Sequence, residues 1–243
     1  MKISVILKRE LKGYFATPIA YVFIMIFLVM SGVFTFYLGN FYERQQADLV
    51  PFFSFHPWLY LFLIPAISMR MWSEERKSGT LELLMTLPFS RVDIVLGKFL
   101  AAWIFAGVAL LLTFPIWITV NYLGDPDNGV ILASYIGSWL MAGGFIAIGS
   151  CMSAVTRSQV IAFVLCSFVS FLFVMAGFPL VLDAIRGWLP LMVVDVFASL
   201  SFLTHFNAIS KGVLSLQDLL YFVSVVAVWL TATSVVLELK KGS

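Results

Sequence analysis

Met71-Trp72-Ser73-Glu74-Glu75-Arg76-Lys77-Ser78-Gly79-Thr80-Leu81-Glu82-Leu83-Leu84 is a polar island between two hydrophobic runs. Five charged residues fall between Glu74 and Glu82, in a chain that is 61% hydrophobic and 12% charged. The runs on either side decide the fold class. Apolar stretches of about 20 residues match the length a helix needs to cross about 30 Å of hydrocarbon at 1.5 Å per residue. Backbone groups in lipid must bond internally, so each run reads as a helix. A β-barrel would alternate polarity in shorter segments, and these runs are apolar all round. A mean hydropathy of +1.01 agrees. The expected fold is an all-α polytopic membrane protein, one transmembrane domain over 1–243.

Six spans are expected: Ile19–Leu38, Pro51–Met71, Phe99–Val120, Val130–Val155, Val160–Val181 and Leu219–Leu237. The second carries Pro51, Pro57 and Pro65 and ends at Arg70, so it is expected to be broken or partly re-entrant. Arg70 would cost about 2.5–3.5 kcal/mol at mid-membrane and marks a water-facing end. Before the first span, Ile3, Leu7, Leu11 and Tyr14 recur at helical spacing beside Lys8, Arg9 and Lys12. That pattern reads as an amphipathic interfacial helix over 1–17, not a signal-peptide core. Thr17-Pro18 then breaks the chain.

Six spans put both termini on one side. Lys2, Lys8, Arg9, Lys12, Arg70, Arg76, Lys77, Arg91, Lys98, Arg157, Lys240 and Lys241 share that side, and Arg44, Arg186 and Lys211 take the other. The positive-inside rule makes the richer side cytoplasmic, and the island with it. The expected location is the bacterial inner membrane. The 156–159 turn is short and makes a tight hairpin. The 182–217 segment is expected to form short helices packed at the outer surface or dipping into the membrane.

Within the island, Ser78-Gly79-Thr80 is a helix-start cluster, and Leu81, Leu84 and Met85 follow on one face until Pro88. Glu82 lies near the positive end of this short helix. Ser90 and Asp93 then have capping-box spacing ahead of the next span. A solvated loop has no need of an apolar stripe, so this helix is expected to dock on something.

Glu74-Glu75-Arg76, Gly79-Thr80-Leu81-Glu82-Leu83-Leu84, Pro88 and Gly97-Lys98 resemble the pattern E-E-x-x-x-G-T-[LI]-E-x-L-L-x-x-P followed by G-K of ABC-2-type transporter permeases. The likeness is specific in motif over 74–98 and extends to the whole chain in topology. The nearest subgroup is the short six-span permeases of the gliding-motility and copper-maturation type. The resemblance implies a dimer, with itself or a similar chain, carrying two ABC ATPase subunits on the cytoplasmic face. It implies that the 74–88 region holds the coupling helix, with Ser78, Gly79, Thr80, Leu81, Glu82, Leu84 and Met85 at the ATPase contact. Glu74, Glu75 and Arg76, with Lys8, Arg9 and Lys12, would form a cytoplasmic gate.

Candidate chemistry elsewhere is thin. There is no G-x-x-x-x-G-K-[ST] loop, so ATP and Mg are expected on the partner and no cofactor in this chain. No catalytic constellation stands out, and the chain is not expected to be an enzyme. Net charge is +2, which implies no nucleic-acid partner. Cys151 and Cys166 read as buried thiols, His56 and His205 as structural, and the scattered methionines as packing. Gly137, Gly143, Gly144 and Gly149 in the fourth span offer a close-packing face. Trp58, Trp72, Trp117, Trp188 and Trp229 are candidate interfacial anchors in contact with membrane lipid. Nothing suggests a docking site for a soluble binding protein, so export is expected. The alternative is a mechanical transmitter or assembly factor, driven by the ATPase without moving a solute.

Overall fold

A computed structural model describes residues 2–86, 89–188 and 190–240. The side chains of Lys2 and Met85, together with Pro88 and Lys241, lie outside what is described. Helices account for the architecture, and no strand occurs among the described residues. The chain opens with α1 (Lys2–Ala16) and turns at Thr17 into α2 (Pro18–Val33), whose first residue is the expected proline. Proline suits a helix start, where its missing N–H has no partner to lose. A five-residue π-helical turn, Phe34–Leu38, extends α2.

The expected second span is broken into α3 (Val50–Ser54) and α4 (His56–Ser68), and α5 (Arg70–Ser78) follows after Met69. The prolines explain the first break. Pro51 and Pro57 each sit in the opening turn of their helix, where continuing the preceding helix would clash. The island continues as α6 (Thr80–Thr86).

Next come α7 (Arg91–Leu111) and α8 (Phe114–Leu123), together one span-length unit of 33 residues, with Pro115 at the joint. The Ser90/Asp93 capping box is present at the start of α7. Then follow α9 (Asn128–Val155), α10 (Gln159–Met175), α11 (Pro179–Arg186), α12 (Leu191–Ser199), α13 (Phe202–Ile209) and α14 (Leu216–Leu239). Among the described residues, four units are long and apolar enough to cross a membrane: Pro18–Leu38, Arg91–Leu123, Asn128–Val155 and Leu216–Leu239. The number rises to six if two bent pairs count as one span each. These are α10 with α11, bent by 67°, and α12 with α13, bent by 68°.

The hub is α9. Its span-length window is 78% buried, against 22% for α14 and 28% for the α2 unit. The glycines expected to form a packing face do so. A side chain at Gly143 would strike Trp103 of α7, one at Gly144 Phe202 of α13, one at Gly137 Ile209, and one at Gly149 Ser68 of α4. In a bilayer, where lipid is as apolar as leucine, such close backbone approach is a main source of helix association.

The 182–217 segment dips into the bundle. Phe202 lies against Gly144, midway along α9, and Ile209 lies against Gly137, so α13 climbs back along α9 toward its N-terminal end. His205 holds the returning chain. Its Nδ1 is 2.6 Å from Asp218 Oδ1 of α14, and its Nε2 donates to the Ser199 carbonyl at 2.9 Å. The structural role expected of this histidine is the one its geometry provides. His56 is also fully buried, with Nδ1 2.8 Å from Ser138 Oγ of α9.

Candidate functional site

The island forms a bent helical arm at one end of α9. Gly79 makes the bend: its φ of +72° lies in the left-handed region, which closes α5 and lets α6 leave in a new direction. Ser78 belongs to α5 rather than to the start of α6, and its Oγ donates to the Glu74 carbonyl at 2.9 Å. Thr80 Oγ1 reaches back to the Glu75 carbonyl at 3.4 Å. The Ser-Gly-Thr cluster therefore ends one helix as much as it begins another.

On α6 the apolar stripe turns inward. Leu81 and Leu84 are buried in the chain's own core, whereas Leu83 is 69% exposed and Glu82 is exposed beside it. The stripe that a solvated loop would not need is thus answered by this chain's helices. Among the described side chains, α6 offers Thr80, Glu82, Leu83 and Thr86 to water, with Gly79 exposed just before it. Leu83 escaped the sequence reading because the Leu81/Leu84 spacing fits a docking face and an anchoring face equally well.

Behind the arm lies an ion cluster joining three helices. Lys98 Nζ of α7 is 2.8 Å from Glu75 Oε1 of α5 and 3.1 Å from Glu10 Oε2 of α1. Arg9 closes the set, 2.5 Å from Glu10 and 3.8 Å from Glu75. Lys98 is only 4% exposed and lies over the Trp72 ring, 5.3 Å from its centroid. Burial alone would raise the Glu10 pKa, but Lys98, with Arg9, outweighs it and holds the carboxyl below its ordinary value.

Of the six expected gate residues, Arg9 and Glu75 meet in this cluster. Glu74 instead pairs with Arg70 at 3.0 Å, and Arg76 donates to the Ala154 carbonyl at 2.7 Å. Lys8 and Lys12 are exposed on α1, outside the cluster.

Glu10 and Lys98 were missed as partners. A signal was present: Lys98 stands eight residues into an apolar helix, where a charge requires a counter-charge. Gly97 beside it admits α1, since a side chain there would strike Ile6 at 2.7 Å. Tyr14 of α1 stacks on Phe105 of α7, with centroids 5.3 Å apart, completing the same contact. A cleft of about 280 Å³ between α1, α2, α5 and α7 is lined by Glu10, Tyr14, Phe23, Arg70, Glu75 and Lys98.

The opposite reading applies to Trp72. Expected as an interfacial anchor, it is fully buried, because its indole N–H finds Ser150 Oγ of α9 at 2.9 Å. Among the described residues no group of His, Cys, Asp and Glu is arranged to hold a metal ion.

These features define a class: an integral membrane protein of helices, with a charged arm projecting from a hub helix. The chain matches the family model described as ABC-2 family transporter protein over residues 5–240, and it belongs to that family. It is thus the membrane domain of an ABC transporter permease, a family whose members work in general with ABC ATPases. A comparison with curated proteins finds no match.

Proposed function

We propose that this chain is the permease subunit of an ABC exporter of the short six-span subgroup and that its α6 is the contact for the ATPase. The charge asymmetry, with twelve of the fifteen Lys and Arg on the island side, supports a cytoplasmic island in a bacterial inner membrane with both termini inside. ATP and Mg belong to the ATPase. A second copy completes the substrate path, and lipid covers the remaining apolar faces.

The observation that carries the reading is the exposure of Leu83 beside Glu82 on a two-turn helix whose inner face is anchored by Leu81 and Leu84. An apolar side chain ringed by polar ones is the form of an interface anchor. The helix is fixed behind by the Glu75–Lys98–Glu10 cluster, so a push on α6 reaches α1 and α7. Leu83→Asp and Glu82→Arg are expected to reduce ATPase copurification about tenfold, about 1.4 kcal/mol, while leaving the permease folded. Full ATPase recovery and normal turnover in both variants would sink the reading.

A further inference from the structure

We propose that Ser153 of α9 is a positioning residue that caps α5 from another helix and ties the α5–α6 arm to the hub. The inference rests on the reading of α6 as the ATPase contact, and it goes beyond that reading by naming where a load on α6 is delivered.

The argument starts from the joint between α4 and α5. A helix leaves its first N–H groups without partners, and the residue before it normally supplies a side-chain oxygen to accept from them. Here that residue is Met69, which has no such oxygen and makes no side-chain cap. The missing acceptor comes from α9. Ser153 Oγ accepts from the Trp72 N–H at 3.0 Å and from the Ser73 N–H at 3.1 Å. It donates its own proton to the Met69 carbonyl at 2.8 Å. A serine hydroxyl has one proton and two lone pairs, and all three are used on the same joint. Ser153 is fully buried, so water does not replace it.

Two more bonds share the face. Trp72 Nε1 donates to Ser150 Oγ at 2.9 Å, and Arg76 Nη1 to the Ala154 carbonyl at 2.7 Å. Ser150, Ser153 and Ala154 form one stripe at the end of α9, and Met69, just before α5, lines up with Trp72, Ser73 and Arg76 of α5 in the facing stripe. By contrast, α4 and α5 are joined through the break at Met69. Displacement of the arm therefore moves α9, the helix against which α4, α7, α10, α13 and α14 all pack.

The test separates capping from tying. Ser153→Ala removes the hydroxyl. Hydrogen exchange reads the cap, and a distance across the joint reads the tie. Full-length permease in lipid nanodiscs is read by hydrogen exchange over 70–78 and by spin-label distances between Lys77→Cys and Val160→Cys.

In Ser153→Ala, exchange over 70–78 is expected to rise about fivefold and the distance distribution to broaden about twofold. Faster exchange without any broadening would make Ser153 a helix cap alone and overturn the tie. No change in either readout for Ser153→Ala would overturn the whole proposal. Neither readout uses the ATPase, so the failure of α6 as its contact would appear separately, in the Leu83 and Glu82 variants.

Discussion

Two contacts of α9 are held by different physics, one with α7 at its middle and one with α5 at its C-terminal end. Where α9 meets α7 the contacts are aromatic and close. Trp103 of α7 and Trp139 of α9 stack with centroids 4.2 Å apart, and each indole donates to the other's backbone carbonyl, at 2.8 and 3.2 Å. Each tryptophan also lies over a glycine of the opposite helix, Trp139 over Gly107 and Trp103 over Gly143. Toward its C-terminal end the contacts are polar: Ser150, Ser153 and Ala154 to α5, and the Lys240 ammonium to the Val155 carbonyl. Close packing has discrete arrangements and resists sliding, whereas polar bonds can be exchanged for other polar partners. The difference assigns rigidity to the α7 contact and adjustment to the α5 contact, which carries the arm.

Three experiments would break or sharpen that contrast. The largest effect is expected at Lys98. Lys98→Met leaves Glu10 and Glu75 buried with Arg9 as their remaining cation, and removing one partner of a buried ionic set costs about 3–5 kcal/mol. Thermal unfolding in detergent would register it as a lower midpoint. A midpoint within one or two degrees of the parent would show that the cluster does not hold the arm.

A smaller effect is expected at the rigid α7 contact. Gly143→Leu drives a side chain into Trp103, which lies 2.9 Å from the position of its Cβ, and overpacking costs about 1–3 kcal/mol. The loss should appear as faster hydrogen exchange along both α7 and α9, with α5 and α6 unchanged. Exchange confined to the arm would reverse the assignment of the two contacts.

The smallest effect is a pH dependence. The folded pKa of Glu10 is lowered from its ordinary value of 4.5, so its contribution is complete above about 4.5 and is lost as pH falls through the lower folded value. Release of α1 from α7, followed by fluorescence of a probe on exposed Lys12→Cys, should therefore occur below pH 4.5, and Glu10→Gln, whose side chain cannot titrate, should lose that pH dependence. Release centred near neutral pH would exclude Glu10 as its cause.

Much of this is legible in the sequence. Thr17-Pro18 ended one helix and opened another, Ser90 and Asp93 formed their capping box, and the four glycines of α9 met large side chains or neighbouring helices. Each depends on local backbone chemistry or on residue size. The second span's three prolines announced its break, and they also obscured that α4 is a core element and not a peripheral one. The partners of the island were less legible. Glu75 and Arg9 were expected near one another, but Lys98 and Glu10 complete the cluster across three helices, and Trp72 is buried by Ser150 rather than set in the interface.

The sequence by itself determined that this is a helical membrane protein with a charged arm of the ABC-2 type, because hydrocarbon thickness, charge asymmetry and turn chemistry are written in runs of neighbouring residues. The tertiary structure alone decided which way that arm faces. Leu81 and Leu84 look inward, Leu83 outward, and a serine of α9 caps the helix that begins after Met69. Helical periodicity defines a face but not what covers it, and a cap donated from a distant helix leaves no mark beside the residue it caps.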